Sequence, residues 1–324
     1  MRHPLLARAL AATAALVSLV AAAQPYPDKT VTIISPYGAG GNADLAARSL
    51  AAVAPKYLGQ SIVVMDRTGA GGTIGSKYVL DSNKDGYTLL LARVGSQAVA
   101  PALDPTTPYK WNSFTFLGML ELDPYVCVVS SKSPLHSFAD LLSALKAHPG
   151  KLNYASTGNL DASVVFPVKI FLNLGLSKDA AVKIPYKGAG ETVAAVLSGQ
   201  VDFACNGLSP YAGQLKAGRM RALVVSTPHR VAAAPDAPTA KEVGMPNLGV
   251  VTGWSALYGP ANLPLAVVDK WVKVLARVKR DPKWIDQVRK RGSIPTIMSP
   301  AETRTYVEQQ YNAYRALSTL MAPK

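Results

Sequence analysis

Short apolar runs alternate with longer amphipathic or alanine-rich stretches along most of the chain. The short runs are rich in β-branched and aliphatic residues, as in Val31–Ile34, which is typical of buried strands. The longer stretches, such as Leu45–Ala54 and Ser137–His148, have the composition or spacing of helices. Strands that alternate with helices indicate βαβ units, so the pattern predicts an α/β fold with mainly parallel sheets.

Glycine-rich turns follow the first two predicted strands and precede helices. The first turn spans residues 35–44, and the second spans residues 66–75. Glycine tolerates positive φ and lets a ligand approach the backbone closely. The first amides of each following helix have no intrahelical partner and lie at the positive end of the helix dipole. If the two strands are neighbours, the turns should form two walls of one anion pocket.

Later strands also end in polar or flexible segments. The chain has Arg93 after the third strand and polar turns at residues 156–159, 186–190 and 206–210. A strand near Trp254 returns to the first block, so we predict a discontinuous first domain (residues 24–127 plus 254–324) and a second domain (residues 128–253). Ligands of such sheets bind beyond the carboxyl ends of the strands. The exits of the two domains should therefore face each other across a cleft.

The first 23 residues have the pattern of a signal peptide. Arg2 and Arg8 precede the apolar stretch Leu10–Val20, and small residues lead to a cleavage site near Ala23. We expect an exported protein; an uncleaved anchor is the alternative. The composition of the whole chain, with 49% hydrophobic and 17% charged residues, is that of a globular protein.

The net charge of +14 raises the question of a nucleic-acid partner. The positive residues are scattered, however, except between Lys270 and Arg291, where they form a helix-like segment. We interpret this segment as a solvated basic helix face and expect no nucleic-acid partner.

The sequence contains few groups that could perform catalysis or bind a metal. Cys127 and Cys205 lie in separate apolar runs; they could pair in an oxidising compartment, but we expect two buried free thiols. There is no CxxC pattern, Gly-x-Ser-x-Gly elbow, HExxH motif or P-loop lysine. No general base with a paired nucleophile can be named, so we predict binding without reaction, with neither cofactor nor metal.

Taken together, the turns and several further motifs resemble the Bug family, the periplasmic solute-binding receptors of tripartite tricarboxylate transporters. The resemblance covers essentially the whole mature chain, with the motifs in order. The matching segments are residues 36–44, 66–75, 85–90, 152–158, 185–188, 199–202, 215–218 and 237–239, together with Trp254.

The resemblance implies a two-domain type II periplasmic binding protein fold with Venus-flytrap closure. It also implies a monomer that binds a small organic carboxylate, mono- or dicarboxylate and possibly aromatic, mostly through backbone amides and bridging waters, and delivers it to a permease. The implied ligand-binding residues are Tyr37, Gly38, Ala39, Gly40, Gly41, Asn42, Thr68, Gly69, Ala70, Gly71, Gly72, Thr73, Arg93, Ser156, Thr157, Gly158, Asn159, Tyr186 and Asn206. A sensor subunit of a signalling system and a carboxylate-processing hydrolase are the alternatives.

Three departures from the family pattern concern the choice of solute. The segment after Gly158 has no histidine. Arg93 replaces a small hydroxyl residue; its guanidinium either clamps a distal carboxylate or pairs with an aspartate or solvent. Asn206 occupies the position at which amino-acid-binding members can offer an acid to a ligand ammonium, which argues against amino acids.

Several neighbouring residues have simpler structural interpretations. Asp44 should bond the first glycine turn from the following helix. Asp161 should cap the helix that begins at Ala162, with exclusion of some anions as the rival role. Trp254 is expected to be a packing residue. Tyr186, like Tyr37, either lines the solute or lies at the edge of the core.

Overall fold

The computed structural model describes residues 26–158 and 161–318. The predicted signal peptide and the candidate residue Asn159 lie outside the described residues. Two β-sheets with helices packed on them form the structure, which confirms the expected two-domain α/β fold. Within the described ranges, no helix combines the length and hydrophobicity that a bilayer crossing requires.

The strands are β1 (Val31–Ser35), β2 (Ile62–Asp66), β3 (Thr88–Arg93), β4 (Thr115–Asp123), β5 (Tyr125–Ser130), β6 (Asn153–Ser156), β7 (Val182–Pro185), β8 (Phe203–Gly207), β9 (Met220–Val225), β10 (Gly253–Gly259) and β11 (Ile294–Met298). The helices are α1 (Asn42–Ala51), α2 (Pro55–Leu58), α3 (Thr73–Leu80), α4 (Ala100–Leu103), α5 (Phe138–Ala147), α6 (Ala162–Asn173), α7 (Ala189–Ser198), α8 (Ala212–Lys216), α9 (Leu265–Val278), α10 (Pro282–Lys290) and α11 (Pro300–Arg315). Short 3₁₀ turns occur at Ala70–Gly72 and Pro246–Val250, and a π-helical turn at Gly95–Val99.

The first sheet has the strand order β11-β4-β10-β3-β1-β2. Its β1 strand pairs in parallel with β2 and β3, whereas β10 is antiparallel to β3 and β4. The register sets Ser35 opposite Asp66, so both glycine turns leave the sheet at the same level. The neighbouring strands that the anion pocket requires are therefore present.

The second sheet has the order β7-β6-β8-β5-β9. In it β6 is parallel to β7 and β8, and β5 is antiparallel to β8 and β9. Both sheets are thus mixed rather than mainly parallel. The antiparallel strands include β5 and β10. Each of them is the first strand after the chain crosses from one sheet to the other. The polar segments identified in the sequence follow the strands that pair in parallel, which are β1, β2, β3, β6, β7 and β8.

The chain passes from the first sheet to the second at Pro124 and returns after Val251 and Thr252. These passages lie close to the domain boundaries predicted after residues 127 and 253, which remain predictions. Trp254, at the start of the return strand, is fully buried and packs in a core cluster that includes Ala256 and Tyr258.

The expectation of two free thiols is wrong, because Cys127 and Cys205 form a disulfide. The two residues lie directly opposite each other in the antiparallel pair β5–β8. Sequence spacing could not reveal this, because a mainly parallel sheet gives no reason to place β5 beside β8 in that register. The disulfide lies one residue before Asn206 and joins the strand that enters the second sheet to a strand that ends at the cleft.

Candidate functional site

The first glycine turn is hydrogen-bonded to a side chain of the helix that follows it. The backbone amide of Gly40 donates to Asp44 Oδ2 at 2.9 Å, and Gly41 N donates to Gly38 O at 3.2 Å. Asp44 is 3% exposed and also pairs with Arg48 at 2.6 Å. The predicted structural role of Asp44 is confirmed, and its charge stabilises the N-terminal end of α1.

The second glycine turn depends on positive φ angles that favour glycine. Gly69, Gly71 and Gly72 have φ of 129°, 63° and 89°. A Cβ on Gly72 would lie 2.9 Å from Cζ of Tyr37, so a larger residue would collide with the ring. The Tyr37 hydroxyl donates to Gly71 O at 2.8 Å and ties the two turns together.

Loops from the two sheets meet directly across the cleft. Gly38 N donates to Lys187 O at 3.2 Å, and Asn42 Nδ2 donates to Asn206 Oδ1 at 3.3 Å. A Cβ on Gly158 would lie 3.0 Å from Gly71 Cα. The exits of β1 and β2 therefore face the exits of β6, β7 and β8.

An outer cavity of about 610 Å³ lies at this junction, within the size range of small-molecule sites. It combines the second glycine turn with exits of the second sheet and with the loop after α4. Its lining residues are Gly69, Ala70, Gly71, Gly72, Thr73, Ala100, Asp104, Thr106, Thr107, Pro108, Thr157, Gly158, Pro185, Tyr186, Lys187 and Glu191.

A deep cavity of about 20 Å³ lies on the side of the first glycine turn, and Thr157 lines both cavities. A cavity of this size holds roughly one water-sized group. Its lining residues are Tyr37, Asn42, Ala43, Arg93, Val94, Gly95, Tyr125, Thr157, Asp161, Ala189 and Asn206. Two buried side-chain atoms in this wall, Asn42 Oδ1 and Asn206 Nδ2, have no hydrogen-bond partner.

The guanidinium of Arg93 is held inside the protein by an acid and a hydroxyl. It donates from Nη2 to Asp123 Oδ2 at 3.2 Å and from Nη1 to Ser255 Oγ at 2.7 Å. Asp123 is fully buried and also accepts from Ser209 Oγ at 3.1 Å. Arg93 therefore reaches the deep cavity already paired with an aspartate, one of the two interpretations that the sequence left open.

The carboxylate of Asp161 forms part of the opposite wall. It caps α6 as predicted, accepting from Ser163 N at 2.7 Å, and Oδ2 accepts from Thr157 Oγ1 at 2.6 Å. Burial and then the negative charge of Asp161 raise the pKa of both Tyr37 and Tyr125 well above the usual value for tyrosine. The two phenols therefore stay neutral.

The structure brings most of the predicted residues together at the two cavities, although ligand contact remains a prediction for all of them. Gly69 to Thr73, Gly158 and Tyr186 line the outer cavity, and Thr157 lines both. Tyr37, Asn42, Arg93 and Asn206 line the deep one. The predicted residues that line neither cavity are Gly38, Ala39, Gly40, Gly41, Thr68 and Ser156.

Sequence reasoning missed other lining residues. The loop at Asp104–Pro108 forms part of the outer wall, and Gly95 and Tyr125 form part of the deep wall. Tyr125 directly follows the passage between the sheets, a position that could have signalled it. Among the described residues, no cluster of three or more histidine, cysteine or acidic side chains is arranged to hold a metal ion.

The chain resembles known proteins in both sequence and fold. A UPF0065 protein of Agrobacterium vitis, from the TAR-I ttuE-ttuC' intergenic region, is 31% identical over 303 residues, covering 93% of this chain and 86% of the relative. The structure of the periplasmic binding protein BugD is 29% identical with a TM-score of 0.85, over 91% of this chain and 98% of BugD. MatC from Rhodopseudomonas palustris, solved with bound malate, is 26% identical with a TM-score of 0.85, over 92% of this chain and 100% of MatC.

The family model described as "Tripartite tricarboxylate transporter family receptor" matches residues 46–320. This range includes the second glycine turn, the polar exits of the second sheet and the return strand. The chain therefore belongs to the tripartite tricarboxylate transporter receptor family.

Proposed function

We propose that this protein captures a small organic carboxylate in the periplasm and delivers it to the permease subunits of a tripartite tricarboxylate transporter. The carboxylate binds between the two sheets, the lobes close on it, and the permease recognises the closed form. The proposal includes no chemical reaction on the ligand.

One observation carries this proposal: two glycine turns leave neighbouring parallel strands at the same level and face the exits of the second sheet. Each turn opens a helix, whose dipole favours an anion there. In the first turn the amides of Gly38, Gly40 and Gly41 already bond Lys187, Asp44 and Gly38, so the anion depends on the helix ends and on the second turn. The outer cavity between the second turn and the exits of the second sheet is of the size that small ligands occupy. The bound malate of MatC is consistent with a carboxylate guest.

Closure would follow from ligand contacts on both lobes. A ligand shifts an open–closed equilibrium only by its differential affinity for the two states. Thr157 and Tyr186 line the outer cavity from the second sheet, and Gly71 and Thr73 line it from the first. A guest that touches both walls is therefore bound more tightly in the closed arrangement.

A thermal-shift screen of the purified mature protein against organic acids tests the capture step. A ligand that binds only the folded protein raises its melting temperature. We expect a rise for at least one mono- or dicarboxylate and none for matched neutral amides. If no carboxylic acid raises the melting temperature, capture of a carboxylate is wrong.

A matched pair of glycine variants tests the position of the site. A Cβ on Gly188 would lie 2.8 Å from Gly38 N across the cleft, whereas a Cβ on Gly213 meets nothing within 4 Å. Overpacking against backbone costs about 1–3 kcal/mol, so Gly188→Ala should weaken binding about tenfold. Gly213→Ala should leave affinity unchanged. Equal affinities for the two variants would place the site elsewhere.

Transport is tested in the source cell. Deleting the permease genes should abolish uptake of the ligand, and so should deleting the gene for this protein. A sensor subunit predicts the opposite: uptake continues without this protein, while the response to the ligand is lost.

A further inference from the structure

A large groove outside the ligand cleft is lined by residues of both lobes. This side groove has a volume of about 740 Å³ and shares no lining residue with the outer or the deep cavity. The second lobe contributes α8, the start of β9 and the segment 232–237, and the first lobe contributes Arg289 and Lys290 at the end of α10. The side groove is therefore a surface between the lobes that a bound carboxylate does not occupy.

The floor of the side groove consists of small and apolar side chains. Met220, Ala234 and Ala237 line it although each is no more than 5% exposed, and alanines also occupy positions 212, 222, 232 and 233 of the lining. Alanine side chains leave room for the side chains of a partner. An apolar floor inside a polar rim is the usual anatomy of a protein–protein interface.

The rim of the side groove is positively charged. Its lining cations are Lys216, Arg221, Arg289 and Lys290, and its lining acid is Asp236. Of the ion pairs among the described residues, one includes a lining residue, Lys290 with Asp286. Lys216 and Arg289 are exposed, and no acid in the described part of the chain pairs with either. The rim is thus complementary to a negatively charged partner.

The width of the side groove depends on the angle between the lobes, because its two walls belong to different lobes. Beside it, the hydroxyls of Ser209 and Ser293 share a hydrogen bond of 2.6 Å across the junction. A Cβ on Gly292 would lie 2.8 Å from Cβ of Ala233, which lines the groove. A rotation that separated the lobes would therefore change the shape of the groove. A partner that contacts both walls distinguishes the closed form from the open one, as recognition of the closed form requires.

We propose that the permease recognises this receptor at the side groove, and that the occupant is an acidic, amphipathic segment of the permease. This inference rests on the proposed function, since it names the surface used in the delivery step. Apolar side chains of the segment fill the floor, and its carboxylates pair with the rim.

Two other occupants match the groove less well. The chain has a net charge of +14, and a symmetric contact with a second copy would bring the same basic rim together twice. The surface of a bilayer is flat, whereas the apolar floor at Met220 and Ala237 is recessed.

Binding of the protein to its purified permease in lipid nanodiscs tests the surface, with the best carboxylate of the thermal-shift screen present. The double variant Lys216→Glu/Arg289→Glu reverses one exposed charge on each lobe. It should weaken binding to the permease at least about tenfold, because like charges brought together at an interface are unfavourable. Ala232→Trp, at an exposed position of the lining, should weaken it as strongly by filling the groove.

The controls place the same changes outside the side groove. Lys151→Glu/Lys283→Glu also reverses one exposed charge on each lobe, and Ala147→Trp adds the same bulk to an exposed position of α5. Both should bind the permease as the unmodified protein does. All four variants should keep the affinity for the carboxylate, because none of the substituted residues lines the outer or the deep cavity.

The outcomes separate this inference from the proposed function. If the double variant and Ala232→Trp bind both the carboxylate and the permease normally, the docking surface is elsewhere and the proposed function survives. If permease binding is normal and the double variant instead loses binding to phosphatidylglycerol vesicles, or loses self-association in sedimentation, the occupant is a membrane or a second copy and the inference is wrong. If no carboxylate binds, capture fails. If the loaded, unmodified protein does not bind the permease, delivery fails and the docking surface fails with it.

Discussion

Asn42 donates a hydrogen bond of 3.3 Å from Nδ2 to Oδ1 of Asn206, and this bond joins a helix packed on the first sheet to a strand of the second. Both side chains are buried. Oδ1 of Asn206 also accepts from Gly207 N at 2.7 Å, which fixes the orientation of the amide. The Nδ2 donor of Asn206 is thereby left without a partner in the wall of the deep cavity.

Replacing Asn206 should therefore reduce ligand affinity. Asn206→Leu removes the free donor, and a hydrogen bond to a charged ligand group is worth about 1.5–3 kcal/mol. It also leaves Asn42 Nδ2 unpaired in a buried place, which lowers the stability of the fold. We expect the best carboxylate of the screen to bind about tenfold or more weakly in calorimetry.

Asn247→Leu is the matched control, because Asn247 bonds Asn173 in a second, exposed pair at 2.8 Å. Its affinity should match that of the unmodified protein. Equal losses in the two variants would mean that the effect of Asn206 is not specific to the cleft.

Arg93→Leu should mainly lower the stability of the fold, and its effect on ligand affinity should be secondary. The substitution leaves Asp123, which is fully buried, without its cation, and breaking a buried ion pair costs about 3–5 kcal/mol. Denaturant unfolding of the ligand-free protein measures this loss. Arg230→Leu breaks an ion pair with Glu242 of the same length, 3.2 Å, but both partners are about half exposed, so the cost should stay below about 1 kcal/mol.

The contrary result for Arg93 would be equally informative. Unchanged stability together with a selective loss of dicarboxylate binding would show that the guanidinium clamps a distal carboxylate. Asp123 would then be no more than a minor partner.

The sequence allowed the parallel parts of this structure to be predicted and left the rest open. β-branched runs followed by glycine turns identify β1 and β2, because period, turn chemistry and helix start all agree there. The pairing partners of β5 and β10 depend on contacts between distant segments. A local pattern does not contain them, so the mixed sheets and the disulfide were missed.

The same limit applies within the site. The cap that Asp161 provides to α6 was predictable, because a capping position is a local property. Its placement beside Asn42 and Asn206 was not, since it needs three strand exits from two sheets to meet. The partner of Arg93 was undecided for the same reason: Asp123 lies 30 residues further along the chain.

Reducing the disulfide should cost stability. Cys127 and Cys205 are 78 residues apart, and removing a native disulfide typically costs about 2–5 kcal/mol. We expect urea unfolding with a phosphine reductant to show a lower midpoint than without it. The Cys127→Ala/Cys205→Ala double variant should unfold at the lower midpoint under both conditions. A midpoint that the reductant does not change in the unmodified protein, with thiol titration confirming reduction, would contradict a stabilising role.

Asp281 gives a prediction for acid conditions. Its side chain is fully buried; burial alone would raise the pKa, but hydrogen bonds from Lys56, Tyr57 and the Trp284 amide outweigh burial and lower it to about 2. The unfolded value is about 3.9. A lowered folded pKa contributes stability that is present above about pH 4 and is lost as the pH falls toward 2.

Asp281→Asn isolates this contribution, because asparagine can still cap α10 but does not titrate. At pH 6 the variant should be less stable than the unmodified protein by about 1–2 kcal/mol. Urea unfolding at several pH values should show this difference shrinking as the pH falls below about 4 and nearing zero close to pH 2. The difference in unfolding free energy between the two proteins cancels the contributions of other acids whose pKa is lowered, such as Asp140 and Glu302. A difference that stays constant from pH 6 to pH 2 would show that the carboxylate stabilises the fold without a lowered pKa.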